Sequence, residues 1–270
     1  MVPVKPEDCT LDYARYESLL SNKTRLVAFT VASNVCGSLT DAKRIVKAAK
    51  SAGAITYADA VHYTPHFVPD VQVLGCDFMA CSPYKFCGPH MGMLYGRREL
   101  LLRLKPYKVE PASSDPPECW ETGTKSFEAL AGFNAAIEYL SSLGEGPDLR
   151  DRLESSYESI AAYEREWSGR FLEKAASVKG LKVWGITDKA RLHERTATFA
   201  LTFDKHTPQE VSDYLARNHI TTGASHFYGQ GVIEALGLTK TNIMRVGCVH
   251  YNIFTEMDRL FEVMSGFKKL

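Results

Sequence analysis

The chain has 270 residues, 45% of them hydrophobic and 24% charged, enough to bury one large core or two smaller ones. Lysine plus arginine and aspartate plus glutamate number 32 each, so the net charge is zero and nothing points to nucleic acid or an anionic membrane surface. No apolar stretch reaches membrane-spanning length, and the opening Met1-Val2-Pro3-Val4-Lys5-Pro6 lacks the apolar core of a signal peptide.

Seven cysteines run from Cys9 to Cys248 without a C-x-x-C pair. Cys76, Cys81 and Cys87 cluster, but at spacings that suit no common zinc site, so no metal is expected. Such cysteines fit a reducing, cytoplasmic compartment better than a disulfide scaffold.

In chain order, Leu11 to Leu20 reads as a short amphipathic helix and Leu26 to Val31 as a strand. Ser33 to Ser38 is a loop. Thr40-Asp41 then opens a helix whose buried face is Ile45, Val46, Ala48, Ala49 and Ala52, and Gly53 closes it. The strand Ala54 to Asp59 follows at once. A strand–helix–strand unit of this length predicts two parallel strands.

The stretch from Ala60 to Pro69 is rich in proline and histidine and reads as an irregular crossover. An apolar run, Cys76 to Cys81, leads into Ser82-Pro83-Tyr84-Lys85-Phe86-Cys87-Gly88-Pro89, and a second apolar run covers Met91 to Tyr95. Helices are predicted over Glu99 to Leu104 and Phe127 to Leu143, with a proline-rich loop from Lys105 to Glu118 between them. Gly144 and Gly146-Pro147 suggest a domain boundary, dividing a large domain at 1–146 from a small one at 147–270. The second part holds a long charged helix from Leu149 to Ala176, then strands over 178–184 and 195–203. A capping box at Thr207-Pro208-Gln209-Glu210 opens the next helix, and a glycine-bearing loop spans Thr222 to Gly231. A strand at 242–249 and a helix at 255–267 complete an α+β pattern.

In open α/β sheets, ligand chemistry gathers beyond the carboxyl ends of the strands. Asn34, Asp59, Ser82 and Lys85 all fall at such ends. A lysine on an apolar wall can be desolvated into a nucleophile, although a lone lysine at a strand end more commonly snorkels. A lysine, an acid on a preceding strand and nearby hydroxyls are the parts of a pyridoxal 5′-phosphate site, where a carboxylate keeps the pyridine nitrogen protonated.

These residues resemble the class V aminotransferases, in the cysteine-desulfurase-like branch of fold type I. The resemblance rests on Asp59-Ala60-Val61-His62, His66, Cys76-Asp77-Phe78 and Ser82-x-x-Lys85-x-x-Gly88-Pro89. It continues through Ser33-Asn34-Val35, Trp120-Glu121-Thr122-Gly123-Thr124 and Arg245, in matching order. It implies an α/β fold, a partial large domain with a mostly parallel sheet, plus a small C-terminal α+β domain. It also implies pyridoxal phosphate as cofactor and an amino acid as substrate. Lys85 resembles the lysine that holds the cofactor covalently and moves protons, and Asp59 the partner of the ring nitrogen. His62 stands where the family places a residue against the phenolic oxygen. Ser82 matches a phosphate ligand and Asn34 a residue beside the ring. Gly123 and Thr124 resemble a segment that reaches the other subunit's cofactor, which implies a homodimer. Arg245 looks like the arginine that takes the substrate carboxylate.

Two departures qualify the expected reaction. The desulfurases carry a catalytic cysteine on the loop that here reads Gly223-Ala224-Ser225-His226-Phe227-Tyr228-Gly229. Residues 1–33 resemble neither the family's phosphate cup nor its stacking aromatic ring, so the resemblance implies a chain lacking the N-terminal third. Transamination or a lyase-type elimination is therefore expected, with a vestigial family member that keeps the fold but not turnover as the alternative. Ser82-Pro83-Tyr84-Lys85 also has the S-x-x-K spacing of penicillin-recognising hydrolases. It follows a strand and lacks that family's companion motifs, so this reading is set aside.

Overall fold

The computed structural model describes residues 1–267. The first helix, α1 (Tyr13–Leu19), is shorter than the sequence pattern suggested, because Asp12 turns in to accept a hydrogen bond from Arg15 N at 2.9 Å. Strand β1 (Leu26–Thr30), helix α2 (Ala42–Ser51) and strand β2 (Ile55–Asp59) form the expected crossover unit. Its strands are parallel, with Leu26 opposite Ile55 and Thr30 opposite Asp59. Helix α2 buries Ala42, Ile45, Val46 and Ala49.

The stretch from Ala60 to Pro69 is irregular as expected, and just past it lies one turn of helix, α3 (Val71–Leu74), capped by the Asp70 carboxylate on the amides of Gln72 and Val73. Strand β3 (Phe78–Cys81) lies parallel to β2, and β4 (Met93–Gly96) returns antiparallel to β3. The link between β3 and β4 is too short for the crossover that a parallel pair requires. The sheet order is β1-β2-β3-β4. Strand β1 is an open edge with no buried residue, and Leu26 on it is 57% exposed. Helices α4 (Arg98–Arg103) and α5 (Phe127–Ser142) follow, separated by the proline-rich loop.

Helix α6 (Leu149–Ser177) leads to β5 (Leu181–Trp184), β6 (Thr198–Phe203) and α7 (Pro208–Arg217). The Thr207 capping box forms as the sequence predicts, with Thr207 Oγ1 accepting from Glu210 N and the Glu210 carboxylate accepting from Thr207 N. The expected loop after it instead holds β7 (Gly223–Ser225) and opens α8 (Gln230–Ala235). Three residues are too few to show strand alternation in a sequence. Strand β8 (Ile243–Gly247) and helix α9 (Phe254–Gly266) end the described chain. The second sheet runs β5-β6-β8-β7, antiparallel throughout. Its core stacks Phe171 on Phe199, with ring centroids 4.0 Å apart, among Trp167, Leu201, Met244 and Met257.

The compact units do not follow a single cut near residue 146. One comprises 20–30 and 42–156; the other comprises 1–19, 31–41 and everything from Tyr157 onward. Two interactions explain the mixing. Residues 31–41 are stitched to the C-terminal half by Leu39 N on Glu194 O and Thr196 N on Gly37 O, both 2.9 Å. The glycine turn at 144–147 is no loose linker either, since a Cβ at Gly144 would stand 2.1 Å from Arg152 O.

Asp8 holds the N-terminal segment through Arg191 at 2.8 Å, and Arg191 also reaches Glu194 at 2.7 Å. Burial works to raise the Asp8 pKa, but bonds from Thr10 and Arg191 outweigh it and the net direction is down. The Arg191 hydrogen bond likewise lowers Glu194. A carboxyl with a depressed folded pKa contributes stability above its unfolded pKa and loses it as pH falls through the folded value. The segment is therefore firm at neutral pH and loosens below about pH 4. Amide exchange at Thr10, whose N–H donates to Asp8 Oδ1, should accelerate in that range beyond the intrinsic rate. Arg191→Gln should move the acceleration to higher pH.

Candidate active site

The parallel part of the first sheet aligns three strand ends. Thr30 pairs with Asp59, Asp59 pairs with Ala80, and Ala60 N donates to Ala80 O at 2.8 Å. Asp59 and the turn after β3 thus emerge at one carboxyl edge, where ligands of such sheets are held. Asp59 is exposed, and its Oδ1 accepts from Val61 N at 2.9 Å, which fixes the carboxylate in a turn of its own.

Past β3 the chain makes one 3-10 turn, Pro83–Lys85, with Ser82 at its N-cap. Ser82 is half-buried, and its hydroxyl makes no capping bond, which leaves it for a ligand. Lys85 is exposed, with Nζ 5.1 Å from the centre of the Tyr84 ring, and Tyr84 itself stacks on His90. Among the described residues Lys85 forms no ion pair with Asp59. The turn is closed by Gly88 N on Pro83 O at 2.8 Å. Gly88 is required sterically, because a Cβ there would meet Pro83 Cβ at 2.8 Å and Pro83 O at 2.9 Å.

His62 is half-buried, and its ring lies edge-on to His66 at 5.1 Å; His66 is buried. Asp77 has a supporting part. It is buried, accepts from Thr56 N and Thr56 Oγ1 at 2.8 Å each, and pairs with Arg97 at 3.1 Å, locking β3 beside β2 just before the lysine turn. Gly123 takes a left-handed φ of +68°, and both it and Thr124 are exposed, with no hydrogen bond from Thr124 to the strand-end residues.

In the other unit, Asn34 and Arg245 are brought together. Arg245 Nη1 donates to Asn34 O at 2.8 Å, and its guanidinium lies 4.0 Å above the Phe227 ring. Asn34 Nδ2 donates to Phe227 O at 2.7 Å, closing a three-residue set. Partial burial lowers the Arg245 pKa, and an arginine so placed still carries its charge at neutral pH. Among the described residues it forms no ion pair, and Asp258 pairs with Lys174 instead.

Phe227 escapes sequence reasoning. It and Tyr228 have left-handed φ angles of 47° and 60°, uncommon for aromatic residues. Gly229 follows, where a Cβ would stand 2.2 Å from Val35 Cγ2. The one available signal is this glycine, which lets the loop press against Val35 beside Asn34. Chemically, the first unit offers an amine, a carboxylate, a hydroxyl and an imidazole at one sheet edge, and the second a planar cation on an aromatic ring. No metal-binding cluster occurs among the described residues, and none of their helices is long and apolar enough to cross a membrane.

The aminotransferase class-V family model matches residues 2–260. A cysteine desulfurase of Pectobacterium carotovorum subsp. carotovorum (strain PC1) is 30% identical over 277 residues, covering 98% of this chain and 63% of its own. An aminotransferase-like protein of Gibberella zeae is 33% identical over 262 residues, covering 94% of this chain and 62% of its own. The fold matches that of a cysteine desulfurase from Thermococcus onnurineus NA1 in its apo form, with a TM-score of 0.85 at 23% identity, over 98% of this chain and 64% of that one. The cysteine desulfurase of Escherichia coli gives 0.84 at 24% identity, with the same coverage. The chain thus spans about 63% of the length of curated relatives it matches. Its architecture is a partial fold type I: a mostly parallel α/β sheet followed by a small α+β part.

Proposed function

This chain belongs to the aminotransferase class-V family, and on that premise we propose that it is a pyridoxal phosphate-dependent enzyme acting on an amino acid at Cα or Cβ. The single observation that carries the reading is the strand-end alignment Thr30–Asp59–Ala80, which delivers Asp59, Ser82 and Lys85 to one edge of the sheet. The donor set fits the cofactor: an exposed amine, a carboxylate already oriented by its own turn, and a hydroxyl left uncommitted at an N-cap.

The cofactor, when bound, supplies the electron sink. Lys85 would anchor it and would carry the proton at Cα. Asp59 would hold the proton on the ring nitrogen, His62 would stand against the phenolic oxygen, and Ser82 would donate to the phosphate. Arg245 would take the substrate α-carboxylate in a bidentate grip, and Asn34, whose carbonyl accepts from that arginine, would flank the ring. The loop 223–229 has no cysteine, so the reaction is transamination or elimination in place of persulfide formation. Gly123 and Thr124, exposed near Phe127, reach toward a second copy of the chain. Tyr107, Val109 and Phe127, which are 105%, 70% and 68% exposed, give the apolar area that a homodimer would cover.

Arg245→Lys keeps the charge and removes the planar fork. Its kcat/KM for the best amino acid should fall about 10- to 100-fold, mostly through KM, while cofactor absorbance is unchanged. The function is tested by adding pyridoxal phosphate to purified protein and then titrating cysteine, alanine and aspartate. The expected result is a visible band that one of these amino acids shifts. The alternative reading is a vestigial family member that keeps the fold but not turnover. A band that no amino acid shifts, or no band at all, would favour that reading.

A further inference from the structure

In the unit built from 1–19, 31–41 and the C-terminal half, strand β7 stops pairing with β8 at Gly223, opposite Arg245. Ser212 accounts for the divergence. Its Oγ donates to Thr222 O at 3.1 Å and accepts from Thr222 Oγ1 at 3.0 Å, which draws the chain before β7 onto helix α7. Strand β8 itself runs on to Gly247. Cys248 N donates to Ala197 O, on the side of β6. The alternation of an antiparallel ladder therefore turns the N–H and C=O of Gly247 to the opposite side, where β7 has already ended. Between this strand end and helix α9 lies a cavity of about 340 Å³, within the size range of small-ligand pockets.

Trp167 forms part of the cavity wall and is 3% exposed, and its Nε1–H has no acceptor among the described residues. The other two indoles are satisfied: Trp120 donates to Leu101 O at 3.3 Å and Trp184 to Thr202 Oγ1 at 2.9 Å. A buried N–H without an acceptor weighs against the fold, and a ligand that supplies the acceptor removes that cost. Ile220, Met257 and Leu260 make the apolar walls, with Arg259 and His219 exposed at the rim. Arg259 gives one N–H to Asn218 O at 3.2 Å, and a guanidinium has five. Glu256 is the one carboxylate on the lining, and it is committed to the start of α9, accepting from Ile253 N and Asn252 Nδ2 at 3.0 Å each. Arg245 borders the cavity too, but its guanidinium lies on Phe227, whereas the next residue, Val246, packs in the core that holds Trp167. Strand alternation thus places the Arg245 side chain on the other face of β8.

We propose that this cavity is a binding site for a small carboxylic acid with an apolar body. The carboxylate accepts from the Trp167 indole and the strand-end amide of Gly247, and Arg259 supplies the opposite charge. An ionised carboxylate has two oxygens and about four acceptor positions, so it can take several N–H donors at once. The apolar body lies against Ile220, Met257 and Leu260, and its burial supplies the rest of the affinity. A neutral amide of the same shape keeps that burial and loses the charge-assisted bonds. The site does not use the Arg245 guanidinium, so it stands independently of the cofactor reading.

The test uses the full chain with no cofactor added, its tryptophan indoles labelled with a heavy nitrogen isotope for NMR. The Trp167 signal is assigned by elimination with Trp120→Phe and Trp184→Phe, which leave the cavity intact. Phenylacetate and isovalerate are the probes, and phenylacetamide is the neutral control. The expected result is a saturable downfield shift of the Trp167 N–H with phenylacetate, and slower exchange with water, while the other two indoles stay in place. Phenylacetamide should bind at least about 10-fold more weakly, and Arg259→Gln should weaken phenylacetate by about 10-fold with the urea midpoint unmoved. Arg245→Lys should leave the shift unchanged, which separates this site from the substrate arginine. A Trp167 signal that neither acid moves up to about 10 mM would overturn the proposal, leaving an indole that meets water only. Equal binding of phenylacetamide would overturn it too, as would a shift lost in Arg245→Lys but kept in Arg259→Gln.

Discussion

Lys85→Ala is expected to abolish the visible absorbance that pyridoxal phosphate acquires on the wild-type protein, and to reduce turnover at least about 1,000-fold. Two contributions vanish together. The covalent anchor is lost, and so is the base that takes and returns the Cα proton; positioned proton transfer by itself is worth roughly 100- to 10,000-fold. Folding should not suffer. The amine is exposed and rests only on the Tyr84 ring, so the change in stability should stay within about 0.5 kcal/mol. Lys47→Ala, on the exposed face of α2, is the matched control and should alter neither absorbance nor turnover. If Lys85→Ala kept both, the amine would be an ordinary strand-end lysine.

Arg195→Met is expected to have the largest effect on stability. Truncating the guanidinium leaves the carbonyls of Ile186, Thr196, Thr198 and Cys36 without their donor in a region closed to water. Each orphaned carbonyl costs about 1–3 kcal/mol, and the partial relief from no longer burying a cation leaves a net loss of roughly 3–5 kcal/mol. Domains of ordinary stability have only about 5–15 kcal/mol in total, so the urea midpoint should fall steeply. Arg170→Met, which breaks an exposed pair with Glu166 and lifts a guanidinium off the Phe254 ring, should move the midpoint far less. Equal effects from the two substitutions would contradict the assigned role of Arg195.

Much of this fold can be read in the sequence wherever a local rule and the tertiary structure agree. Ile45, Val46 and Ala49 recur at helical spacing and form the buried face of α2, and Thr207 with Glu210 forms the capping box that the residues spell out. The parallel pairing of β1 with β2 followed from the helix between them. What was illegible depends on distant partners. Ser33 to Ser38 reads as a simple loop, yet Glu194 and Thr196 draw it and its flanks into the C-terminal unit through backbone bonds that no side-chain pattern encodes. The same holds for β7, which exists because β8 pairs with it, and for α3, a single turn held by Asp70.

Of the candidate site, the strand-end residues were legible because a parallel sheet has only one carboxyl edge. The meeting of Asn34 with Arg245 was implied only as two separate matches; its geometry depends on Phe227 and on left-handed backbone at two aromatic residues. Asp77 entered as part of a motif. Its carboxylate proves to hold Thr56 and Arg97, which is a structural task.

The central claim is that the amine of Lys85 holds pyridoxal phosphate, and reductive trapping tests it most directly. Protein is incubated with the cofactor, reduced with borohydride, digested, and searched for the phosphopyridoxyl adduct on each of its lysines. The account predicts one dominant adduct, on the peptide containing Lys85, suppressed in Asp59→Ala, where the ring loses its partner. An adduct spread over surface lysines in proportion to their exposure, with none enriched at Lys85, would contradict it.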